Sequence, residues 1–407
     1  MIKVYSNTNE CCGCGACAQA CDHNAITMQI DSNGFKYPVI DQNKCIDCNL
    51  CINTCNFKPQ IDNTPVQTYV AQRKSSEIKK SASGGIFAEL AHKVIEKGGV
   101  VFGCIFKKER GSLFPIISEA TDKEEVEPML GSKYVQSDTA DTYKHVKDRL
   151  KIGRLVLYSG LPCQIAGLKG YLRKDYDNLI TLDIICHGTP NEKYFQAYIA
   201  DLEKKIKGSI SSFNFRGKVK VWGEFTYTYS YTDCNGKEKI GWGRVDDSVY
   251  YKLFLASSIY RESCYYCPFA STNRPSDITI GDCWGVDKEY PSWDKSKGGV
   301  FDFKKGTSCV IVNTSKGFSF LKENNDGFEI ENIQLEKITK YNHQLYKPSV
   351  DSPYRKNYYE AFNIGGYKAL KRKYYQMEWK QILKLKIYLA LPKGLLKFIK
   401  SSKQHSF

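Results

Sequence analysis

The sequence predicts a small cysteine-rich α+β domain, a larger α/β domain with an antiparallel β portion, and a basic, partly helical extension. Three observations lead there. One cysteine spacing occurs twice within the first 60 residues, strand and helix patterns alternate between 67 and 185, and a two-residue period appears between 209 and 242. The corresponding divisions are 1–64, 65–150, 151–340 and 341–407.

Cys11, Cys14, Cys17 and Cys21 follow C-x2-C-x2-C-x3-C, and Cys45, Cys48, Cys51 and Cys55 repeat it. Each run offers three thiolates near enough for three corners of one cubane, while the next turn of chain carries its fourth cysteine away. In two-cluster ferredoxins that fourth cysteine ligates the other cluster. The spacing therefore predicts an α+β ferredoxin-like domain with two [4Fe–4S] clusters. One would lie on Cys11, Cys14, Cys17 and Cys55, the second on Cys45, Cys48, Cys51 and Cys21. Structural zinc usually takes two C-x2-C pairs and needs no third and fourth cysteine at these spacings. Asp22 and Asn56 stand where a proline commonly follows the fourth cysteine, which removes stiffness but no ligand. Cys12, between two ligands, is not expected to bind iron.

A chain of 407 residues can bury two or three sizeable cores. It has no run of 18 apolar residues, so no membrane span is expected. It also lacks a basic N-terminal region followed by an apolar one, the pattern of a secretory signal. Its 17 cysteines then imply a reducing cytoplasm, where thiols stay available for iron, rather than disulfides. The net charge of +15 is unevenly placed: residues 1–64 hold four Lys/Arg against six Asp/Glu, residues 341–407 fourteen against three. No nucleic-acid motif accompanies the basic tail, so no nucleic-acid partner is expected. A solvated basic surface, a docking surface for an acidic protein and a peripheral contact with an anionic membrane stay open. Residues 376–399 set Trp379, Ile382, Leu383, Ile387 and Leu391 among lysines around Pro392. Helices docked on their own domain share that pattern with helices lying on a membrane, and docking ranks first.

In chain order, the polar, proline-containing residues 56–66 suit a linker. Residues 67–73 read as a strand, and 79–97 as a Ser/Gly turn opening an amphipathic helix, with Ile86, Leu90 and Val94 at helical spacing. Ser83, Gly84 and Gly85 thus sit where free backbone N–H groups and a helix dipole can receive a phosphate, although Ser-Gly-Gly alone is more often a cap and a tight turn. Residues 99–106 return as a strand and complete a β-α-β unit. GSKYVQS at 131–137 is a polar loop, able to grip a phosphate or flavin edge or to serve as plain surface. A helix over 139–152, a strand at 154–158, a helix from Ser159 to about Arg173 and a strand at 179–185 follow. Strand–helix–strand connections make such strands parallel and usually adjacent, which puts Cys163 and Cys186 on the ligand-binding edge of an open sheet. Either cysteine alone would read as a small buried hydrophobe.

Residues 209–242 alternate apolar and polar side chains, FTYTYSYT most clearly, and predict an antiparallel sheet. A helix over 249–257 leads into Cys264 and Cys267, a C-x2-C followed by proline, and 277–285 is a short strand ending in a glycine turn with Asp282 and Trp284. Cys163, Cys186, Cys264 and Cys267 supply four thiolates, enough for a third [4Fe–4S] cluster. A zinc site would use the same four. Iron is preferred because zinc would interrupt an otherwise redox chain. Cys283 is the substitute ligand.

Taken together, the motifs resemble the beta subunits of coenzyme F420-reducing hydrogenases and dehydrogenases, in the form with a fused N-terminal ferredoxin. The resemblance covers most of 1–340. It rests on SASGG at 81–85, GSKYVQS at 131–137, GLPCQIAGL at 160–168, ICHGTP at 185–190, NFRGK at 214–218, RESCYYCPF at 261–269 and DITIGDCWG at 277–285. Cys283 stands where the family usually has an aromatic, which makes it an individual variation. The resemblance implies that the α/β domain binds FAD beside a [4Fe–4S] cluster. It makes Ser83, Gly84, Gly85, Ser132, Lys133 and Tyr134 candidate FAD contacts, and Cys163, Cys186, Cys264 and Cys267 the ligands of the nearby cluster. His187 and Gln164 flank those ligands, where they would touch the isoalloxazine or donate a proton, and with Lys133 they are the candidate catalytic residues. Lys133 and Arg216 are also candidates for holding an anionic group of the substrate. The implied activity passes electrons from ferredoxin-type clusters through FAD to or from a two-electron acceptor, coenzyme F420-like or another small organic molecule. A ferredoxin or a hydrogenase or dehydrogenase subunit would be the redox partner. The rival reading is an electron-wiring subunit without a substrate of its own, docked on a partner enzyme.

Overall fold

The computed structural model describes residues 3–57, 64–109, 111–219 and 225–390, with side chains through 380. Each cysteine run turns into a short helix, α1 (Ala16–Gln19) and α2 (Leu50–Thr54), entered through Gly15 and Asn49 in the left-handed conformation. Between them β1 (Ile26–Ile30) and β2 (Lys36–Ile40) form an antiparallel hairpin that pairs Ile26 with Ile40. The polar linker falls largely outside the described residues.

β3 (Gln67–Arg73) leads into α3 (Ile86–Glu96), whose Ile86, Leu90 and Val94 are all buried. Then come β4 (Val100–Glu109), β5 (Ser112–Ala120), α4 (Thr142–Lys151), β6 (Val156–Gly160), α5 (Pro162–Leu172), β7 (Leu179–Ile184) and α6 (Glu192–Ile206). The alternating stretch is β8 (Gly208–Asn214), β9 (Thr226–Asp233) and β10 (Glu238–Arg244), a separate antiparallel sheet in the order β10-β9-β8. Its period buries Tyr227 and Tyr229 beside Phe213. α7 (Val249–Leu255), β11 (Ile278–Asp282), β12 (Ser308–Val312), α8 (Ser315–Glu323) and β13 (Phe328–Asn332) follow.

Among the described residues the main sheet has eight strands in the order β13-β3-β12-β11-β7-β6-β4-β5. Its centre, β11-β7-β6-β4, is parallel, and its flanks are antiparallel. β6 and β7 are adjacent and parallel, which sets Cys163 and Cys186 on one edge. The β-α-β unit expected at 67–106 joins two parallel strands of this sheet, but not neighbouring ones. β3 has β12 and β13 on its two sides, so the connection through α3 crosses four strands before reaching β4. A strand's hydrogen-bonding partners need not be its sequence neighbours, and here strands from beyond residue 300 take both edges. One sheet therefore draws strands from both sides of residue 150.

α3 and α8 cover one face, where Leu90, Leu157, Leu182, Val310 and Phe320 form a core. Burying each such side chain fully contributes about 1.5–3 kcal/mol. α4 and α5 cover the other face with Val146, Leu150, Ile165 and Leu168, and Ala16 of the cysteine-rich domain enters the same core. Two glycines of α5 allow that approach. A Cβ on Gly167 would lie 2.7 Å from Cys14 Sγ, and one on Gly170 would lie 2.1 Å from the Thr54 carbonyl oxygen.

Residues 1–352 form one compact unit. Residues 341–352 stay with the first unit because Gln344 and Ser349 hydrogen-bond His187. The second unit, described by itself, is α9 (Arg355–Ala390), broken by non-helical Gly365 and Gly366. No helix among the described residues is long and apolar enough to cross a membrane. Leu391 and the rest of the expected amphipathic stretch to 399 lie outside the described residues.

Candidate functional site

Two left-handed residues bend each cysteine run at matching positions. They are Gly13 and Gly15 in the first (φ +69° and +73°), Asp47 and Asn49 in the second (φ +54° and +59°). Successive right- and left-handed residues gather backbone N–H groups into a concavity, a common setting for iron–sulfur anions. Cys11, Cys14, Cys17 and Cys55 come together. Burial first, and then the thiols of Cys14, Cys11 and Cys55, push Cys17 well above its ordinary pKa. Cys21, Cys45, Cys48 and Cys51 line one cavity of about 350 Å³, walled by Ile26, Ile40 and Ile46. The eight thiols thus fall into two sets, each taking three cysteines from one run and the fourth from the other.

The third set is carried by the main sheet. Cys163 lies in the first turn of α5, just past β6, and Cys186 follows β7 by two residues. Cys264 and Cys267 come from a 3-10 turn at Glu262–Tyr266 and the residue after it. The four thiols face one another. Burial raises Cys186 well above its ordinary value, with Cys264 and Cys267 adding to it. Burial and Cys264 push Cys267 up to about 11. At Cys163 a hydrogen bond with Cys12 favours the thiolate, but burial and Cys267, Cys186 and Cys264 outweigh it. Arg274 joins the two halves of this set. Its buried guanidinium donates to Asp183 Oδ1 (2.8 Å) and the Ile184 carbonyl (2.9 Å) before Cys186, and to the Phe269 carbonyl (2.6 Å) after Cys267.

Buried thiols that oppose one another's ionisation need a cation before they become thiolates, so this donor set suits a bound metal centre. Its softness fits an iron–sulfur cluster and equally zinc. Among the described residues no three His, Cys, Asp or Glu side chains close on a point fit for a single ion. Cys12, expected to bind no metal, lies between two sets. It is buried and packs against both Cys14 and Cys163. Phe57, Ala166 and Phe269 pack around that contact and keep it apolar.

The other candidate residues occupy the same carboxyl edge of the sheet, where Asp282 of β11 pairs with Ser308 and Ser308 with Ala71 of β3. The turn before α3 is tied down: Ser83 Oγ donates to the Thr307 carbonyl (2.7 Å), and Gly84 N–H donates to Ser308 Oγ (2.9 Å). The expectation of a free Gly84 N–H for phosphate is therefore corrected, because Ser308 already satisfies it. Gly85 caps α3 at φ +82°, and a Cβ there would lie 3.1 Å from Arg73 Cβ. Lys133 points back into its own loop, donating to the carbonyls of Pro128, Leu130 and Gly131, and burial pushes its pKa down to about 8. Tyr134 stacks on Phe254 at 4.3 Å, and its hydroxyl faces Arg216 Nη1 at 3.4 Å. For Ser132 the structure gives a place in that loop and no more.

Gln164 is fully engaged. Its Oε1 accepts from Leu161 N–H, and its Nε2 donates to the carbonyl and hydroxyl oxygens of Ser137. His187 is exposed, with Nδ1 3.2 Å from Gln344 Nε2, while desolvation of its ring and then His343 hold it below the usual histidine range. Arg216 pairs with Asp282 at 2.8 Å between the rings of Phe225 and Trp284. Cys283 is buried beside Cys309 and Ile338 in a core separate from the thiol sets.

Comparison with known proteins supports the sequence resemblance. Residues 153–338 match the family described as the C terminus of the coenzyme F420 hydrogenase/dehydrogenase beta subunit, and residues 10–58 match the 4Fe-4S dicluster domain. An uncharacterized protein of Methanocaldococcus jannaschii is 23% identical, with 84% of this chain and 96% of that one covered. A solved structure of the F420-reducing [NiFe] hydrogenase complex from Methanosarcina barkeri, a xenon derivative, covers 74% of this chain and 94% of its own at TM-score 0.44 and 17% identity. The chain is an iron–sulfur electron-transfer protein related to the F420 hydrogenase beta subunits.

Relative to these family motifs, some well-placed residues carried no assignment in the sequence. Lys218 ends the NFRGK motif. It donates to the carbonyls of Ile78, Ser83 and Lys305, and burial pushes it down to about 7. Ser81 Oγ, Thr307 Oγ1 and Arg216 Nη2 are buried without a hydrogen-bond partner among the described residues. Pairing across strands distant in sequence creates this polar edge, so no local spacing announces it.

Proposed function

We propose that the chain binds FAD and a third [4Fe–4S] cluster and is an iron–sulfur flavin oxidoreductase, exchanging electrons with a two-electron acceptor that is coenzyme F420-like or another small organic molecule. The single observation that carries this reading is the buried Cys12 side chain, packed at once against Cys14 of the first set and Cys163 of the third. Two thiol sets so joined across an apolar seam suit a redox chain better than a structural zinc site. Clusters supply single-electron steps, and a flavin couples these to two-electron chemistry.

The residues present fit a flavin on one physical ground. Buried, unpartnered Ser81 Oγ, Thr307 Oγ1 and Arg216 Nη2 flank the Ser83–Gly85 turn and the Asp282 edge, and unsatisfied buried polar groups are costly without a ligand. In this reading Ser83, Gly85, Ser132 and Tyr134 line the cofactor, and Arg216 and Lys218 hold its charged groups or those of the substrate. Gly84 keeps the turn close to β3 and β12, where a Cβ would lie 2.5 Å from the Ala71 carbonyl oxygen and 2.6 Å from Ser308 N. Cys163, Cys186, Cys264 and Cys267 hold the third cluster. His187 is the residue able to exchange a proton with solvent, since the polar ends of Gln164 and Lys133 are engaged inside the fold. That engagement also favours the second reading, a wiring subunit without its own substrate, docked on a ferredoxin or on a hydrogenase or dehydrogenase subunit. The basic extension would be its docking surface, with a peripheral membrane contact as the lesser use.

Anaerobic purification followed by iron, sulfide, zinc and flavin counts tests this. About twelve irons and one FAD per chain are expected, falling to about eight irons in Cys264→Ser. About eight irons with zinc and no flavin in the unaltered chain would overturn the proposal. A full cofactor count with no small molecule reduced would select the wiring subunit.

A further inference from the structure

Arg261 is a buried cation that reaches from the third thiol set into the first. It lies three residues before Cys264 and is only 1% exposed. Its guanidinium donates through Nε to the Cys11 carbonyl (2.8 Å), through Nη2 to the Lys36 carbonyl (2.7 Å) and through Nη1 to Gln136 Oε1 (3.2 Å). Nη2 also stands 3.9 Å from Cys11 Sγ. Tyr37 covers one face of the group, 4.1 Å from ring centroid to Cζ. Gln136 in turn donates to the Cys12 carbonyl (2.8 Å), so the two side chains grip successive residues of the first cysteine run. Gly13 is part of the same fit, because a Cβ there would lie 2.7 Å from Nη1.

None of these partners is a carboxylate. An unpaired guanidinium in so dry a place is expensive unless a countercharge is supplied. Four thiolates on a [4Fe–4S] core are net negative and become more so on reduction. We propose that Arg261 is a positioning residue for the cluster on Cys11, Cys14, Cys17 and Cys55, and that its charge raises that cluster's reduction potential above that of its twin. The physical basis is direct. Reduction adds negative charge beside a fixed positive one in a low-dielectric seam, and N–H···S contacts and nearby charge are established levers on cluster potential. The consequence is directional: the inner cluster becomes the better electron acceptor of the pair, so electrons entering at Cys45–Cys51 run downhill toward the main sheet. The inference rests on the two N-terminal clusters and stands whether or not the third set holds iron.

The test is an anaerobic redox titration of the iron-loaded full chain, followed by electron paramagnetic resonance, for the unaltered protein and for Arg261→Gln. One of the two N-terminal waves should move to more negative potential by about tenfold in its one-electron equilibrium constant, about 59 mV, while the other stays. Arg261→Lys, which keeps charge and loses the fork, should recover part of the shift. Unmoved waves in a fully loaded Arg261→Gln protein overturn the proposal. If that variant does not hold its iron, Gln136→Ala replaces it, loosening the guanidinium without removing it. A smaller shift of the same wave supports the role, and no shift overturns it. Eight irons with a shifted wave would uphold Arg261 and sink the third cluster; twelve irons with unmoved waves would do the reverse.

Discussion

The two cysteine runs are the same motif in two environments. The first is pressed against the body of the protein: Cys14 lies under Gly167 of α5, Cys11 under Arg261, and Cys12 between Cys14 and Cys163. The second touches α5 at Thr54 but turns its middle toward solvent. Cys48 is exposed, and Ile46 beside it keeps 61% of its surface in water. Identical ligand spacing therefore meets two different surroundings, the first run packed against α5 and Arg261 and the second with Cys48 in solvent. Spacing fixes what a site can bind, and packing decides what it can reach.

The largest test of the inner environment is Arg274. Its pair with Asp183 is fully buried, and removing one partner of such a pair costs about 3–5 kcal/mol. Arg274→Ala should lose about that much in denaturant unfolding and release iron from the third set before the N-terminal sets. Retained stability would mean that the clamp between Cys186 and Cys267 is not what holds this wall together. A matched pair of substitutions comes next. Gly13 and Asp47 share the left-handed conformation at equivalent places. Gly13→Ala adds crowding against Arg261 to backbone strain and should cost about 1–3 kcal/mol, whereas Asp47→Ala should cost less than about 1. Equal losses would erase the distinction between the runs.

Exposure gives a kinetic version of the same contrast. When the loaded protein meets oxygen and a chelator, the outer set should lose its irons first, leaving an inner signal that decays about tenfold more slowly, since solvent access governs cluster chemistry. Iron counted against time, with the resonance recorded alongside, would show two phases. A single phase covering all the N-terminal iron would contradict the picture.

Local patterns were legible. The helix with Ile86, Leu90 and Val94, the alternating Tyr227 and Tyr229, and the neighbouring strands before Cys163 and Cys186 all follow from periodicity and short connections. Relations across long sequence distances were not. β3 pairs with β12 and β13, more than 230 residues away, because ladder partners are chosen by the whole sheet. For the same reason Gln164 and Lys133, polar residues in suggestive motifs, turned inward to satisfy backbone and hydroxyl groups. Arg274 and Lys218 offered no spacing to read. Their importance lies in what three separate segments bring to one side chain.

The smallest expected effect concerns charge at the buried edge. The outer run leaves Ile46 and Cys48 in water; Lys218, by contrast, is held by three backbone carbonyls where burial pushes its pKa down to about 7. In the unfolded chain the same lysine titrates near 10.4. Between these values the unfolded state binds the extra proton, so stability rises with pH across that window and is flat below about 7. Full burial would give about 1.4 kcal/mol per pH unit. Lys218 is only half-buried and its ammonium keeps three acceptors, so a fraction of that slope is expected. Lys218→Met removes the titration, and the difference between the two unfolding curves from pH 7 to 10 isolates this group from the cysteines, which titrate in both proteins. A difference that stays constant across the range would mean the ammonium is as comfortable in the folded protein as in water, and the edge would then be open where the packing closes it.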